Sequence, residues 1–422
     1  MIQPTVAVIG SGVSGLTAAY ALRQTHAITV FESEPRLGGH THTHDVRDPN
    51  GNHYAIDSGF IVHNDRTYPR LRALFAELGI ETRPTEMSMS ITCAGCGLEY
   101  AGGRGLKGVL AAPKNLLRPA FVGMLLQVRT FHSAAKTYLQ ESDSTDLTSF
   151  GDWLKANDFG DYFIRHYALP LVSCVWSSGD SIALEYPARY LFTFLNHHGM
   201  LQLTDSPQWF TVVGGSSSYV SAIAATLSDI RRGDAVVSVS RSGASPVEVR
   251  TASGGVSSFD QVVIATHADI ALDLLEDPSG EERRVLGAFE YSENETVLHT
   301  DASILPTATR ARSSWNYAMD DCTEPAASAR VTYWMNRLQG HESSLDYLVT
   351  LNATHTLEPR SVLATMHYTH PAYTAALVVA QGDLASLNTS TTAFAGAHFG
   401  WGFHEDGCRS GYAAAEATIA AI

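Results

Sequence analysis

The stretch that most constrains the fold lies at the start of the chain. Thr5 to Ile9, "TVAVI", is a short apolar run rich in β-branched residues, and it stops at Gly10-Ser11-Gly12-Val13-Ser14-Gly15. A segment of helical composition, "LTAAYALRQ", comes next, and then a second apolar run, "AITVFE", ends on Glu32. Strand, glycine turn, helix, strand and acid in this order form a dinucleotide-binding unit. Gly10 allows the tight turn, Gly12 lets backbone N–H groups approach a pyrophosphate at the helix N-terminus, and Gly15 lets helix and strand pack closely. Glu32 stands where a carboxylate accepts hydrogen bonds from a ribose and repels a 2′-phosphate.

The residues just after the acid narrow the ligand. "SEPRLGGH" places Ser33, Arg36, Gly38, Gly39 and His40 immediately beyond the ribose position. This extended fingerprint resembles the glutathione reductase-like flavoproteins of the amine oxidase and phytoene desaturase superfamily, in which the segment runs along the FAD diphosphate towards the flavin ring. The resemblance implies FAD. A C-terminal stretch, "AFAGAHFGWGFHEDGCRSGYAAAEATIAAI", gives a strand end, a glycine-rich loop and a closing helix. In that superfamily this segment sets a helix N-terminus near the flavin, where its dipole favours negative charge. Gly396, Glu405 and Asp406 are the cofactor candidates there, with Val237 of "DAVVSVSR" as a further contact. No second glycine fingerprint with a following acid appears, so no dedicated NAD(P) domain is expected.

Nearly the whole chain extends the resemblance. "IDSGFIVHNDRTYPRLRALFAELGI", "WSSGD", "YPARYL", "PQWFTVVGGSSSYV", "VVIATHADIALDLL", "SWNYAMDD", "TYWMNRLQG" and "FGWGFHEDGCRSG" are similar to bacterial NAD/FAD-binding, flavin amine oxidase-like proteins. Members often sit beside fatty-acid cyclopropanation and methylation enzymes, which implies lipid or polyene chemistry. The fold class implied is α/β: a Rossmann-type FAD domain with an interleaved α+β substrate domain. The expected division gives residues 1–65, 206–268 and 390–422 to the FAD domain, and 66–205 and 269–389 to the substrate domain. Residues 66–205 read as largely helical, with "TYPRLRALFAELG" amphipathic through positions 71, 74, 75 and 78. "ETVLHTD", "ARVTYWMN" and "DYLVTLN" read as strands of a substrate-domain floor.

The expected reaction is hydride transfer from a substrate carbon to flavin N5, dehydrogenating a C–C bond of an apolar lipid or polyene-like intermediate. His404 and Glu405 are the first candidates for proton acceptor, with His398 beside them. A redox-neutral double-bond isomerase, an amine oxidase and a scaffold with structural FAD are the alternatives. Amine oxidases of the superfamily commonly hold a water with a lysine near N5, whereas here the lysines stand only at 107, 114, 136 and 155.

Charge and cysteine content limit partners. The chain of 422 residues carries 43 acidic and 28 basic side chains, net −15, with basic runs no longer than pairs, which argues against a nucleic-acid partner. Five scattered cysteines suit a reducing interior. Cytoplasm is the expected location, because the N-terminus lacks a basic signal-like region and no long apolar window occurs. Contact with a membrane surface or an acyl-modifying enzyme is a candidate through "NLLRPAFVGMLLQVRTF", although a buried helix is the expected reading.

Two motifs raise the question of metal. "HTHTH" puts His40, His42 and His44 on one side of an extended strand, a layout that gives a poor tetrahedron. His40 is expected beside the flavin, where a covalent histidyl link is conceivable, and His42 and His44 on solvated strand. Cys93 and Cys96 form a CxxC, but no second ligand pair comes after it at close spacing, so the expectation is a glycine-rich loop without metal. Trp176, Trp315, Tyr317, Tyr333 and Trp334 are read as core, with the lining of an apolar tunnel as the alternative.

Overall fold

The computed structural model describes residues 3–103, 105–202, 206–241 and 246–421. Arg104 of "AGGRGLKG" and Ser245 of the expected strand "SPVEVRT" lie outside them, as do the outermost ends of the expected FAD domain.

The run "TVAVI" is the central strand of a five-stranded parallel sheet. Its order is Asp229–Arg232, Ala27–Glu32, Thr5–Ile9, Gln261–Ile264, Thr392–Phe394. Val6, Ala7 and Val8 are wholly buried, which explains why this strand is apolar throughout instead of alternating. Gly12 caps the helix Val13–Leu22, which returns across the sheet. The closing helix His404–Ala420 lies directly against it: a Cβ built on Gly411 would stand 2.3 Å from the Ser14 carbonyl oxygen. Small residues let the two backbones touch, and that contact ties the last segment of the chain to the first. An antiparallel sheet of Val236–Ser240, Val247–Thr251 and Val256–Phe259 stands in the same stretch of chain.

A second, seven-stranded sheet has the order Val362–Pro371, Tyr291–His299, Leu348–Leu351, Val331–Trp334, Trp315–Met319, Met89–Cys93, Leu98–Gly102. The three runs expected as floor strands are all in it. The amphipathic segment forms the helix Pro69–Leu78, buries Leu71, Leu74 and Phe75, and ends on Gly79 at φ 68°. The region 66–205 is less helical than expected, since Thr82–Thr85, Met89–Cys93 and Leu98–Gly102 are strands. The last two make a hairpin whose partner, Trp315–Met319, lies more than 200 residues away in sequence, so local periodicity understates them.

The segment 115–131 belongs mostly to the helix Pro119–Glu141. Phe121, Met124 and Phe131 are buried as expected, but Leu117 and Leu126 are 86% and 70% exposed, which corrects the wholly buried reading. No helix among the described residues is long and apolar enough to cross a membrane. Of the five expected core aromatics, Trp176 and Tyr317 are fully enclosed, while Trp315, Tyr333 and Trp334 are half-buried.

Candidate active site

The site begins at the C-terminal edge of the parallel sheet, where the strands Thr5–Ile9, Ala27–Glu32 and Gln261–Ile264 end together. A Cβ on Gly12 would meet nothing within 4 Å, whereas one on Gly15 would lie 1.9 Å from the Gly10 carbonyl oxygen. The first glycine therefore opens onto free space at a helix N-terminus, and the second is needed for packing. Glu32 Oε2 accepts from the Ser11 N–H and hydroxyl at 3.0 and 2.6 Å. Its Oε1 accepts from the Ser33 hydroxyl and the Glu34 N–H. Arg36 donates to the Gly39 carbonyl at 2.6 Å and pairs with Glu34 at 3.0 Å, which fixes the turn through Gly38 and Gly39. Gly233 N–H donates to the Glu34 carbonyl, so the strand pair leading to Val237 runs beside the acid; Val237 itself sits at a β-bulge and is 48% exposed.

His40 comes next and meets three rings from distant segments. Its centroid lies 5.0 Å from Tyr368, 5.6 Å from His370 and 6.1 Å from His267. His267 succeeds the strand Gln261–Ile264 and stacks on Tyr291 at 4.4 Å. His40, His267, His370 and His404 are each half-buried. Desolvation lowers the pKa of all four, to about 4 for His370 and about 3 for His404, so they stand neutral at pH 7. The Asn294 amide, oriented by Asn352, donates to His370 Nδ1 at 3.1 Å and leaves the proton of that ring on Nε2. His40 Nε2 is enclosed without a partner.

The remaining histidines of the motif depart from expectation. His42 and His44 are half-buried, with ring centroids 4.0 Å apart and tilted at 33°, and joined to Tyr368 and Ser58. His44 Nε2 meets the Ser58 hydroxyl at 2.9 Å, that hydroxyl meets the Tyr368 phenol at 2.8 Å, and the phenol meets His42 Nδ1 at 3.2 Å. The alternation expected to leave them in solvent breaks because the strand Thr43–Arg47 starts only after His42. His42, His44, Ser58 and Tyr368 make a hydrogen-bonded chain that reaches His40.

The C-terminal loop forms the other wall. Gly400 oxygen accepts from the Tyr190 and Tyr373 phenols and from Gln381, and Trp401 oxygen accepts from Trp176. His404, the first residue of the closing helix, stacks on Phe60 at 3.8 Å and bonds Thr41 Oγ1 at 2.9 Å. His398 is buried, its Nε2 has no partner, and desolvation takes its pKa to about 3. A Cβ on Gly396 would fall 2.1 Å from the His398 ring.

Glu405 turns away from the histidines. Its two oxygens accept the N–H groups of Arg70 and Leu71 at 3.0 and 2.9 Å, at the N-terminus of the helix Pro69–Leu78. The proton-acceptor expectation for Glu405 is therefore corrected: both oxygens serve as an anionic helix cap. Asp406 accepts from the Phe403 N–H and pairs with Arg409. It holds the loop in shape, and burial raises its pKa to about 6. Sequence reasoning missed His267, His370, Tyr291 and Tyr368; the signal within reach was the "ATH" that ends a fingerprint-paired strand.

Cys93 and Cys96, read in the sequence as part of a glycine-rich loop, have neighbours that sequence spacing does not show. Cys322 and His166, from segments far off in sequence, stand with them in one cluster.

Comparison with known proteins identifies the cofactor. Residues 13–297 match the family model of flavin containing amine oxidoreductases. The Mycobacterium tuberculosis protein AofH, which carries the name of a flavin-containing monoamine oxidase, is 28% identical over 229 residues. That match covers 53% of this chain and 48% of AofH, so the alignment spans about half the length of this relative. Among solved structures, cyclohexylamine oxidase from Brevibacterium oxydans superposes with a TM-score of 0.71 at 17% identity, covering 99% of both chains. A fatty acid isomerase from P. acnes that produces CLA superposes at 0.62 and 15% identity, covering 97% of both. These two likenesses establish a shared fold.

The residues present fit a dinucleotide: an open glycine at a helix N-terminus, a ribose-side carboxylate and an enclosed imidazole nitrogen without a partner. With the family's flavin, that dinucleotide is FAD. The chain belongs to the flavin-containing amine oxidoreductase family.

Proposed function

We propose that the enzyme dehydrogenates a carbon–carbon bond of a neutral, apolar substrate. The observation carrying this reading is the charge state of the wall beyond the fingerprint. It is built from neutral imidazoles and aromatic rings, and the buried carboxylates near it, Asp57, Glu405 and Asp406, are already engaged. Among the described residues, a cationic amine entering this space would find no unengaged buried carboxylate to pair with, and the desolvation cost would stand uncompensated.

FAD held at Gly10, Gly12, Gly15 and Glu32 would supply the hydride-accepting chemistry. The protein positions the substrate, keeps water out and removes a proton. Thr41 and Phe60 hold the His404 ring in one orientation, and desolvation keeps it unprotonated and able to accept. The Tyr368–Ser58–His44 chain offers a second exit, because each hydroxyl in it both donates and accepts.

The test is anaerobic bleaching of the flavin. A panel of unsaturated acyl compounds and polyenes is expected to reduce it, and primary amines and polyamines are expected to leave it oxidised. Amine-dependent bleaching with peroxide formed in air would overturn the reading. A double-bond-shifted product formed without acceptor would replace it with isomerisation.

A further inference from the structure

We propose that Cys93, Cys96, Cys322 and His166 form a closed, four-coordinate Zn²⁺ site that fastens three segments of the substrate side together.

The four ligand atoms all lie within 4.8 Å of one another, and Cys96 Sγ stands 3.5 Å from His166 Nε2. A tetrahedral zinc with bonds of about 2.3 Å to sulfur and about 2.0 Å to nitrogen places neighbouring ligands roughly 3.6–3.8 Å apart. Only a small contraction separates the cluster from that geometry. The ligand set, three thiols and one imidazole, is a common one for structural zinc, and oxygen-seeking cations disfavour it.

The surroundings support the ligands. The hairpin of Met89–Cys93 and Leu98–Gly102 turns through Cys-Ala-Gly-Cys-Gly, where the Cys96 N–H points at Cys93 Sγ at 3.5 Å. The turn closes with the Gly97 N–H on the Cys93 carbonyl, with Gly97 at φ 67°. An N–H directed at sulfur stabilises a thiolate. His166 lies in a π-helical turn, Ile164–Ala168, and its Nδ1 meets the Tyr162 carbonyl at 2.9 Å. A carbonyl only accepts, so Nδ1 carries the proton and the Nε2 lone pair faces the sulfurs, as a metal ligand requires. Cys322 comes after the strand Trp315–Met319, and the Ala94 and Gly95 N–H groups donate to Met319 and Asp320 carbonyls, holding this loop against the knuckle.

Charge is matched as well. Three thiolates around Zn²⁺ leave one net negative charge, and two half-buried guanidinium groups lie nearby. Arg165 donates to the Cys322 and Thr323 carbonyls, and both Arg165 and Arg118 act electrostatically on His166. All four positions are filled by protein, so the site has no open coordination place and its role is structural. It joins the edge hairpin of the seven-stranded sheet, the π-turn and the loop at 320–323.

The experiment uses FAD-loaded protein purified without added metal. Elemental analysis is expected to find about one zinc per chain. Chelation under reducing conditions followed by Co²⁺ addition should give the intense visible bands of a tetrahedral thiolate site. Cys322→Ser and His166→Ala should lower the zinc content several-fold while the flavin spectrum reports retained fold. Zinc-free protein whose reduced, metal-free form gives no cobalt bands would overturn the proposal, and this wild-type readout stands even if both variants fail to fold. A disulfide among the three cysteines in protein kept under reductant would overturn it too.

Discussion

Gly12 and Gly15 are both in the fingerprint, but the structure separates their duties, and a pair of alanine substitutions tests that separation. At Gly12 the added methyl meets nothing, and φ is −64°, so the backbone accepts alanine without strain. Losing glycine at the N-cap costs a few tenths of a kcal/mol to about 1. Lower entropy of the unfolded chain returns about 0.4–1. Apo stability of Gly12→Ala should thus stay within about 0.5 kcal/mol of the wild type. The methyl nevertheless enters the space in which backbone N–H groups must approach a pyrophosphate, and a 100-fold weaker FAD affinity is expected, about 2.7 kcal/mol. With FAD at about 100 times the wild-type Kd, ligand stabilisation falls from about 2.7 to about 0.4 kcal/mol. For a chain of 422 residues that difference lowers Tm by about 2–3 °C. Gly15→Ala reverses the pattern: its methyl overlaps the Gly10 carbonyl oxygen at 1.9 Å, so helix and strand must separate, at a cost of about 3 kcal/mol or more even without ligand. Flavin-fluorescence titration and thermal unfolding with and without FAD read both effects. Unchanged FAD affinity in Gly12→Ala would refute the placement of the dinucleotide on this helix N-terminus.

Buried titratable groups and caps lead to three more expected outcomes. His63, His132, His198 and His299 are buried with pKa values near 4, and His398 near 3, against an ordinary 6.5; between those limits the unfolded chain binds more protons, so stability falls as pH drops from about 6.5 to 4. Asp57 and Asp406, raised to about 6 by burial, act in the opposite sense between about 4 and 6 and offset part of that loss; a flat urea-denaturation profile from pH 7 to 4 would contradict the assignment. Asp57→Asn removes one opposing group and should make the decline between pH 6 and 4 steeper, besides lowering stability at pH 7 by about 1–3 kcal/mol, because Ser216 N–H and Gln339 lose a carboxylate partner. Glu405→Gln keeps an acceptor for only one of the Arg70 and Leu71 N–H groups, so a loss of about 1–3 kcal/mol in unfolding free energy is expected with little change in the chemical step; a large kcat effect with unchanged stability would restore Glu405 as a proton acceptor.

The elements legible in the sequence are those whose determinants lie within a few residues of one another. Strand, glycine turn, helix and acid at 5–32 declare themselves because the turn, the packing and the cap are all local. The helix Pro69–Leu78 does so through its apolar spacing and terminal glycine. The hairpin at 89–102 stays hidden because its polar positions face other strands: Ser90 is buried against Asn316, 226 residues later. The role of Glu405 is obscured for a related cause. An acid just after a glycine-rich loop looks catalytic until its partners are known, and they are backbone amides of a helix more than 330 residues away.

The two histidine arrangements show how distance along the chain misleads in both directions. His40, His42 and His44 stand at alternate positions in sequence and invite a metal, yet the fold sends His40 to Tyr368 and His370 and folds the other two onto Ser58 and Tyr368. Each imidazole acquires a hydrogen-bonded or aromatic partner, and a shared ion would have to break those contacts. His166 stands alone in sequence, 70 residues from the nearest thiol it meets, and invites nothing. The fold gives it a carbonyl on one nitrogen and sulfur on the other, which is what a ligand needs. Spacing identifies a metal site only when the ligands share one hairpin or helix; where a sheet edge, a π-turn and a loop converge, the partner of the second nitrogen is the better signal.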